Sequence, residues 1–561
     1  MDMKKLDDRV QVSAQIAPED VVRAAQAGVR TLISNRPDGE DPDQPDAASL
    51  RALAEANGIA FHHIPVAGGV YDDASVDAFR RVLDDSEGPI LAFCRTGTRS
   101  ANLWALAQAG HRPTADLIRA AEQAGCDISG QRARIDEFAQ TATAPNETPL
   151  PANSYDVVIV GGGAGGIATA ASVLKRDASL SIAIIEPRDT HYYQPGWTMV
   201  GAGVFNPQTT AHTMASVIPH GATWLRTAVT TFQPEQNQVT TADGHMIRYR
   251  ALVVAPGNIL DWDAIDGLAA TVGKNGVTSN YRYDTAPYTW QLVQQLREGV
   301  ALFTQPPMPI KCAGAPQKAM YLSCHAWEER GVLPHINVVF HNAGAVLFGV
   351  KDYVPALTSY VERYGIELNL ESTLIAVDGP ARRATFREAA GEVTRDFDMI
   401  HVTPPQRAPQ FVADSPLADA AGYVEVDTVT LRHVRYPNIF ALGDGGSTPN
   451  AKTAAAVRKQ APIVAVNLLA GLLGREPVAG YDGYGSCPLT VEKGRIVLAE
   501  FGYGGKLLPS FPTWLIDGTK PAKLSWLLKS EALPWIYWNG MLKGHEWLVR
   551  PQPIDRVRQA A

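Results

Sequence analysis

One stretch, Tyr155–Pro187, constrains this chain more than any other: YDVVIVGGGAGGIATAASVLKRDASLSIAIIEP. Asp156–Val160 is a short apolar β-branched run, as a buried strand requires. It enters Gly161-Gly162-Gly163-Ala164-Gly165-Gly166, in which Gly161, Gly163 and Gly166 fit G-x-G-x-x-G. Ile167–Lys175 reads as a helix, and a second apolar strand, Ser181–Ile185, ends at Glu186. The first glycine permits the tight turn, the second lets a pyrophosphate reach the backbone, and the third lets helix and strand pack closely. The pyrophosphate is held by the free N–H groups and dipole of the helix N-terminus, and Glu186 stands where a carboxylate bonds ribose hydroxyls. Strand, helix and acid together predict a dinucleotide-binding α/β unit.

At 561 residues the chain is too long for one core, since domains run to roughly 100–200 residues. The fold class expected is α/β: a small α/β domain over 1–140, a linker over 141–154, and a body over 155–500 of two interleaved Rossmann-like domains, the second approximately 280–400. A terminal segment follows over 501–561. A net charge of −8 argues against nucleic acid as partner. No apolar run of about 18 residues predicts a membrane-spanning helix. The N-terminus MDMKKLDDRV has no apolar core of a secretory signal, so a cytoplasmic location is expected. Five widely spaced cysteines suit a reducing compartment, and none has metal-site spacing.

In the first domain, strands Thr31–Ser34, Ala60–Ile64 and Ile90–Phe93 alternate with helical stretches Pro18–Ala27, Ala47–Asn57, Ser75–Asp84 and Ser100–Ala109, which predicts a parallel sheet. The strand Pro89–Phe93 runs into Cys94-Arg95-Thr96-Gly97-Thr98-Arg99-Ser100. A thiol there sits among converging N–H groups beside Arg95 and Arg99, which favours a thiolate nucleophile. Strand, Cys-loop-Arg and helix resemble both cysteine phosphatases and rhodanese-type sulfurtransferases. The 1–140 layout resembles the small tyrosine-phosphatase-like domain fused to sulfur-metabolism enzymes. The phosphatase pattern has five residues between Cys and Arg; here four separate Cys94 from Arg99. The tighter loop favours a single sulfur atom over a phosphoryl group, and phosphatase chemistry, with Asp72 or Asp73 as acid, is the alternative. Thr141–Ser154, rich in Pro, Thr and Asn, reads as an exposed linker.

In the body, Tyr249–Leu260 (YRALVVAPGNIL) carries Ala255-Pro256-Gly257, and Pro437–Asp444 (PNIFALGD) closes on Gly-Asp. Both resemble signatures of flavin disulfide-reductase-like enzymes. The resemblance implies FAD, with Gly257 in the turn, Asp444 at the ribityl chain and Lys452 near the flavin ring. A second nucleotide domain is expected on strands Gly299–Thr304 and Ile336–Phe340. It lacks a glycine fingerprint and ends in His341-Asn342, so it is not expected to hold a nicotinamide nucleotide.

Its first turn carries Lys311-Cys312-Ala313-Gly314 instead. The segments HYYQPGW, KCAGAPQKAMYLS, LFGVKDY, HVTPP, PLADAAGYVEVD, KTAAAV and YDGYGSCPL resemble the mitochondrial-type sulfide:quinone oxidoreductase family over roughly 155–550. The resemblance implies sulfide, or a low-molecular-weight thiol or persulfide, activated at Cys312, with electrons passed through FAD to quinone. It also implies a second redox cysteine directly after Gly-Asp, where this chain has Gly445. On that reading the usual pair does not form. Cys324 lies three helical turns away, Cys487 is expected to be structural, and the resolving thiol is Cys94 or a small thiol. A flavoprotein without sulfide turnover, and a phosphatase regulated by a flavin domain, remain alternatives.

Residues 501–561 hold Trp514, Trp526, Trp535, Trp538 and Trp547, with eight Lys/Arg against four Asp/Glu. Lys523, Lys529 and Lys543 punctuate apolar runs. This predicts an amphipathic segment lying on a membrane surface, on the cytoplasmic face, with Trp at headgroup level. A homodimer interface is the alternative for the same surface.

Overall fold

In a computed structural model, residues 1–86, 88–109, 112–143, 153–547 and 549–560 are described. Most of the expected linker lies outside them. The chain divides into two compact units, Met1–Thr148 and Pro149–Ala561.

The first unit is a five-stranded sheet. Val10–Ser13, Ile90–Phe93, Thr31–Ser34 and Ala60–His63 lie side by side in that order, all parallel, with Lys4–Lys5 antiparallel at one edge. Thr31–Ser34 and Ile90–Phe93 are buried at every residue, which is why they read as unbroken apolar runs. Helices Pro18–Gln26, Ala47–Ala56, Asp73–Asp85 and Thr98–Gln108 match the expected order. The central strand delivers Cys94 to the carboxyl end of the sheet, where α/β folds place their sites.

In the second unit, a seven-stranded sheet has a parallel core of Ala222–Leu225, Ile182–Ile185, Ser154–Val160 and Met246–Val254. Ile439–Ala441 pairs in parallel with the end of Met246–Val254. This sets the Gly-Asp loop beside the Ala255-Pro256-Gly257 turn, one strand from the glycine-rich turn. The helix Ala164–Arg176 follows that turn, starting three residues earlier than expected. The second sheet orders Val277–Thr278, Met399–His401, Gly299–Gln305, Ile336–Asn342 and Glu367–Leu370, all parallel. Beyond them, the hairpin Gly485–Glu492 and Arg495–Phe501 packs against the helix Ala315–Glu329. Residues 523–543 then form one helical run with two wide π-type turns, Leu528–Ala532 and Ile536–Gly540. Such turns recur at functional sites.

Candidate functional site

The glycine-rich turn is shaped as its spacing requires. Gly161 has φ +105°, and a side chain there would strike the Ala255 carbonyl; one on Gly166 would strike the Gly161 carbonyl. A Cβ on Gly163, or on Gly257 at φ +75°, would meet nothing within 4 Å. The two closed positions make the turn, and the two open ones leave space beside the backbone. Glu186 is buried; its Oε2 accepts from the Gly162 N–H at 2.9 Å, and its Oε1 from Arg188. The Asp444 carboxyl is pushed up by burial, with Lys311 and Lys452 opposing. These residues fit a bound flavin dinucleotide: an open cradle at a helix N-terminus, a ribose acid at a strand end and a second acid across the cleft.

Lys452, expected near the flavin ring, has partners of its own in the Gly-Asp loop. Its Nζ donates to the carbonyls of Asp444 (2.7 Å) and Gly446 (2.9 Å) and lies 4.2 Å from the centre of the Tyr423 ring. It clamps the Gly-Asp loop. Its backbone also holds the cysteine loop: the Cys312 N–H donates to the Lys452 carbonyl at 2.8 Å. His191, the first residue of HYYQPGW, ties the glycine turn to the terminal segment. Its Nδ1 meets the Gly162 carbonyl at 2.9 Å and its Nε2 the Tyr537 hydroxyl at 2.7 Å. A carbonyl only accepts, so Nδ1 carries the proton. Burial holds the imidazole pKa down to about 4, so the ring is neutral.

Cys312 is where the sequence reading needs correction. Its sulfur lies 3.7 Å from that of Cys487, on the strand Gly485–Glu492. Cys487 is therefore not a remote structural cysteine, and a thiol pair exists without a cysteine at Gly445. The residue that permits it is Gly314: a Cβ there would lie 2.5 Å from the Cys487 sulfur and would also strike Leu489. Cys312 itself has φ +49°, a left-handed conformation costing about 1 kcal/mol or more for a residue with a side chain. The Tyr281 hydroxyl holds it by donating to the carbonyls of Lys311 (3.0 Å) and Cys312 (3.2 Å).

Two lysines that the sequence did not place at Cys312 complete the pair. Lys318 Nζ is 3.1 Å from the Cys312 sulfur, while the adjacent Lys311 turns away to Gln194 at 2.8 Å. Lys529, expected on the lipid-facing side, is instead buried in the first π-type turn. Burial and Lys318 bring its pKa down to about 7, against the pull of the two sulfurs. The Cys312 thiol is held well below its ordinary value, first by the hydrogen bond from Cys487, then by Lys318 and Lys529 outweighing burial. Cys487 is correspondingly pushed up by that same bond and by burial. Cys324 packs in the core, with burial raising its pKa.

In the first unit, the Cys94 sulfur accepts from the Gly97 N–H at 3.1 Å. Gly97 has φ +93° and caps the helix Thr98–Gln108. Arg95 is exposed. Arg99 donates to the Val66 carbonyl (2.9 Å) and to Glu40 (2.7 Å). Asp72, the alternative acid, caps the helix Asp73–Asp85 by accepting from Ser75.

Two family models match. Residues 2–111 match the beta-lactamase hydrolase-like protein, phosphatase-like domain, and residues 155–288 match pyridine nucleotide-disulphide oxidoreductase. The chain is 42% identical over 395 residues to the mitochondrial sulfide:quinone oxidoreductase of Dictyostelium discoideum, covering 70% of this chain and 87% of that protein. It is 34% identical over 108 residues to a beta-lactamase hydrolase-like protein of Xylella fastidiosa, covering 19% of this chain and 25% of that one. The solved sulfide:quinone oxidoreductase of Aquifex aeolicus, 19% identical, shares the fold with a TM-score of 0.58 over 68% of this chain and 91% of that one. The chain is an FAD-dependent flavoprotein oxidoreductase and belongs to the sulfide:quinone oxidoreductase family, with a phosphatase-like domain at its N-terminus.

Proposed function

We propose that the protein oxidises sulfide at the Cys312–Cys487 pair, that the electrons leave to a membrane quinone, and that Cys94 carries sulfane sulfur onward. The observation that carries this is the 3.7 Å approach of the two sulfurs beside Lys318. In the oxidised pair the sulfurs are bonded at about 2.05 Å. Hydrosulfide, an anion, is drawn towards Lys318 and Lys529. It attacks the Cys487 sulfur, and the Cys312 sulfur leaves as a thiolate, because the thiol of lower pKa is the better leaving group. One S–S bond breaks and one forms, giving a Cys487 persulfide and a Cys312 thiolate held by the Lys318 ammonium. A thiolate acceptor then takes the outer sulfur and leaves both cysteines reduced. Gly161, Gly163, Gly166, Glu186, Gly257 and Asp444 would hold FAD, with Lys452 fixing the Asp444 loop. The chemistry FAD would supply when bound is acceptance of the two electrons released as Cys312 and Cys487 return to the disulfide, and their delivery to quinone.

The test is anaerobic mixing of holoenzyme with sulfide, followed by mass spectrometry. Wild type should lose flavin absorbance and carry one extra sulfur on the Cys487 peptide. Cys312→Ser and Cys487→Ser should each slow bleaching by on the order of 10³-fold. Extra sulfur on the Cys312 peptide would reverse the roles of the two thiols, and undiminished bleaching in either variant would end the reading.

Quinone is lipid-soluble, and the terminal segment supports peripheral contact with the cytoplasmic face of a membrane. Among the described residues no helix is long and apolar enough to cross one. Trp514 (84% exposed), Leu515, Leu524, Leu527, Trp535 and Trp547 face outward, with Lys523 and Lys543 between them. Trp538 does not join them, being stacked on His212 at 3.9 Å. Trp514→Ala/Leu527→Ala should lower flotation with anionic liposomes about tenfold. Unchanged flotation with a loss of mass in light scattering would assign the surface to a homodimer.

A further inference from the structure

A loop that closes on a cysteine and ends in an arginine ordinarily offers that arginine to an oxyanion. Here the guanidinium is already engaged. Arg99 reaches the Val66 carbonyl with one nitrogen at 2.9 Å and Glu40 Oε2 with another at 2.7 Å. The same carboxylate oxygen accepts from Arg36 Nε at 2.8 Å, and Arg36, with its side chain only 5% exposed, also meets Asp41 at 3.6 Å and Gln15 at 3.1 Å. Arg99 itself is 16% exposed. Hydrogen bonds from Arg99 and Arg36 outweigh desolvation and hold the Glu40 carboxyl down at about 2, so it is charged at any physiological pH. Two guanidinium groups face two carboxylates, so the charge of Arg99 is offset within this cluster, and Arg95, the other cation of the loop, is exposed.

The remaining donors suit one atom. The Gly97 N–H already points at the Cys94 sulfur at 3.1 Å. The Tyr71 hydroxyl is buried and held by Asn102 at 2.9 Å, and a charge on Cys94 acts on it electrostatically. A dianion arriving here would lie against the Glu40 carboxylate, a like-charge contact that costs several kcal/mol. A terminal sulfane sulfur with one negative charge or none needs no arginine.

We propose that Glu40 is a positioning residue that sets the substrate class of Cys94. By keeping Arg99 in a closed ion pair, it makes the loop take sulfur from a thiol-borne persulfide and turns away dianionic oxyanions, phosphate monoesters and thiosulfate alike. The step is attack of the Cys94 thiolate on the outer sulfur of R–S–SH. The S–S bond of R–S–SH breaks, a Cys94 persulfide forms, and R–S⁻ leaves with no net redox change. This rests on the reading of Cys94 as a sulfur carrier.

The experiment uses the full-length holoenzyme, with transfer to cyanide read as thiocyanate from glutathione persulfide and from thiosulfate. The Cys94→Ser rate is subtracted, and inorganic phosphate binding is measured by calorimetry. Glu40→Gln should raise kcat/KM for thiosulfate at least about tenfold, mainly through KM, and tighten phosphate by a similar factor. It should leave the persulfide rate within about twofold. The phosphate gain should vanish in Glu40→Gln/Arg99→Gln. Equal changes with both donors, or unchanged phosphate affinity, would overturn the proposal. If no donor gives Cys94-dependent transfer, the carrier reading fails, while calorimetry still decides whether Glu40 closes the loop to dianions. Should Glu40→Gln not fold, Glu40→Asp shortens the reach of the carboxylate that both guanidinium groups share, loosening its hold on Arg99, and should tighten phosphate severalfold.

Discussion

The two cysteine sites begin from one local design, a thiol in the loop between a strand and the helix that follows it, and diverge in what surrounds it. At Cys312 the neighbours are a second thiol at 3.7 Å and an uncompensated ammonium at 3.1 Å, with another lysine buried nearby. At Cys94 the sulfur accepts from a backbone N–H, and the charge of Arg99 is offset by Glu40. One site concentrates positive charge in a low-dielectric interior, where it is strongest. The other neutralises it. The difference teaches that a cysteine's chemistry is set by the charge balance of distant segments folded onto it, far more than by the residues flanking it.

The largest effect should come from breaking the pair without touching either thiol. Gly314→Ala puts a methyl group 2.5 Å from the Cys487 sulfur, so strand and cysteine loop must part by about 1 Å. A displacement of that size costs on the order of 10²-fold in rate. Sulfide-dependent flavin bleaching should fall by that factor while flavin content stays constant. Bleaching within threefold of wild type would show that the pair is not the reacting unit.

Removing the charge should cost less and should depend on pH. Lys318 lowers the Cys312 pKa, so Lys318→Met makes Cys312 a poorer leaving group and, once the disulfide has opened, leaves less of it as thiolate at neutral pH. The variant-to-wild-type ratio of bleaching rates should be severalfold below one at pH 7, where Cys487 and Lys529 still hold the Cys312 pKa down, and should rise towards one as the pH increases. Sulfide ionisation is common to both proteins and cancels in the ratio. A ratio that falls with rising pH would mean that Lys318 acts by some route other than the Cys312 charge.

Legibility followed range. Strand, glycine turn and Glu186 lie within 33 residues and obey local rules, so they could be read directly, as could the order of strands and helices in the first unit. Cys487 could not: its partner is 175 residues away and reaches it through a hairpin register. The one local hint was Gly314, a small residue where a neighbouring strand must come close. Lys318 sits six residues after Cys312, in a helix that turns it back towards the sulfur. Lys529 was hidden by a π-type turn, whose residue directions the 3.6-residue period does not give. Glu40 lay in a loop of Pro, Asp and Gly with no pattern to mark it as the counter-ion of Arg99.

A smaller effect is expected at the first cysteine. Gly97 holds φ +93° where it donates to Cys94. Gly97→Ala should destabilise the first unit by about 1–2 kcal/mol, the cost of a side chain in that backbone region. It should leave sulfide bleaching by the second unit unchanged. Thermal unfolding of the full chain, followed together with bleaching, checks both. Slower bleaching would show that the Cys94 loop takes part in the flavin half-reaction.

The smallest effect should come at Gly445, where resemblance alone would place a second redox cysteine. The Gly445 carbonyl accepts from the Val424 N–H at 3.0 Å, which pins the loop. A Cβ there would lie 2.9 Å from Pro256 Cδ and 3.4 Å from the Gly257 carbonyl. The added atoms press on the turn that must stay open at Gly257, so Gly445→Cys should cost about 1 kcal/mol or more of stability and change bleaching by no more than twofold. The sharper form places it in a Cys487→Ser background. If the resolving thiol belongs on the hairpin, Gly445→Cys should leave that protein as slow as Cys487→Ser alone, because the Gly-Asp loop is held by Lys452 and Val424 and cannot follow Cys312. Recovery of rapid bleaching would place a working thiol beside the flavin turn and would make the 3.7 Å approach of Cys487 a packing contact.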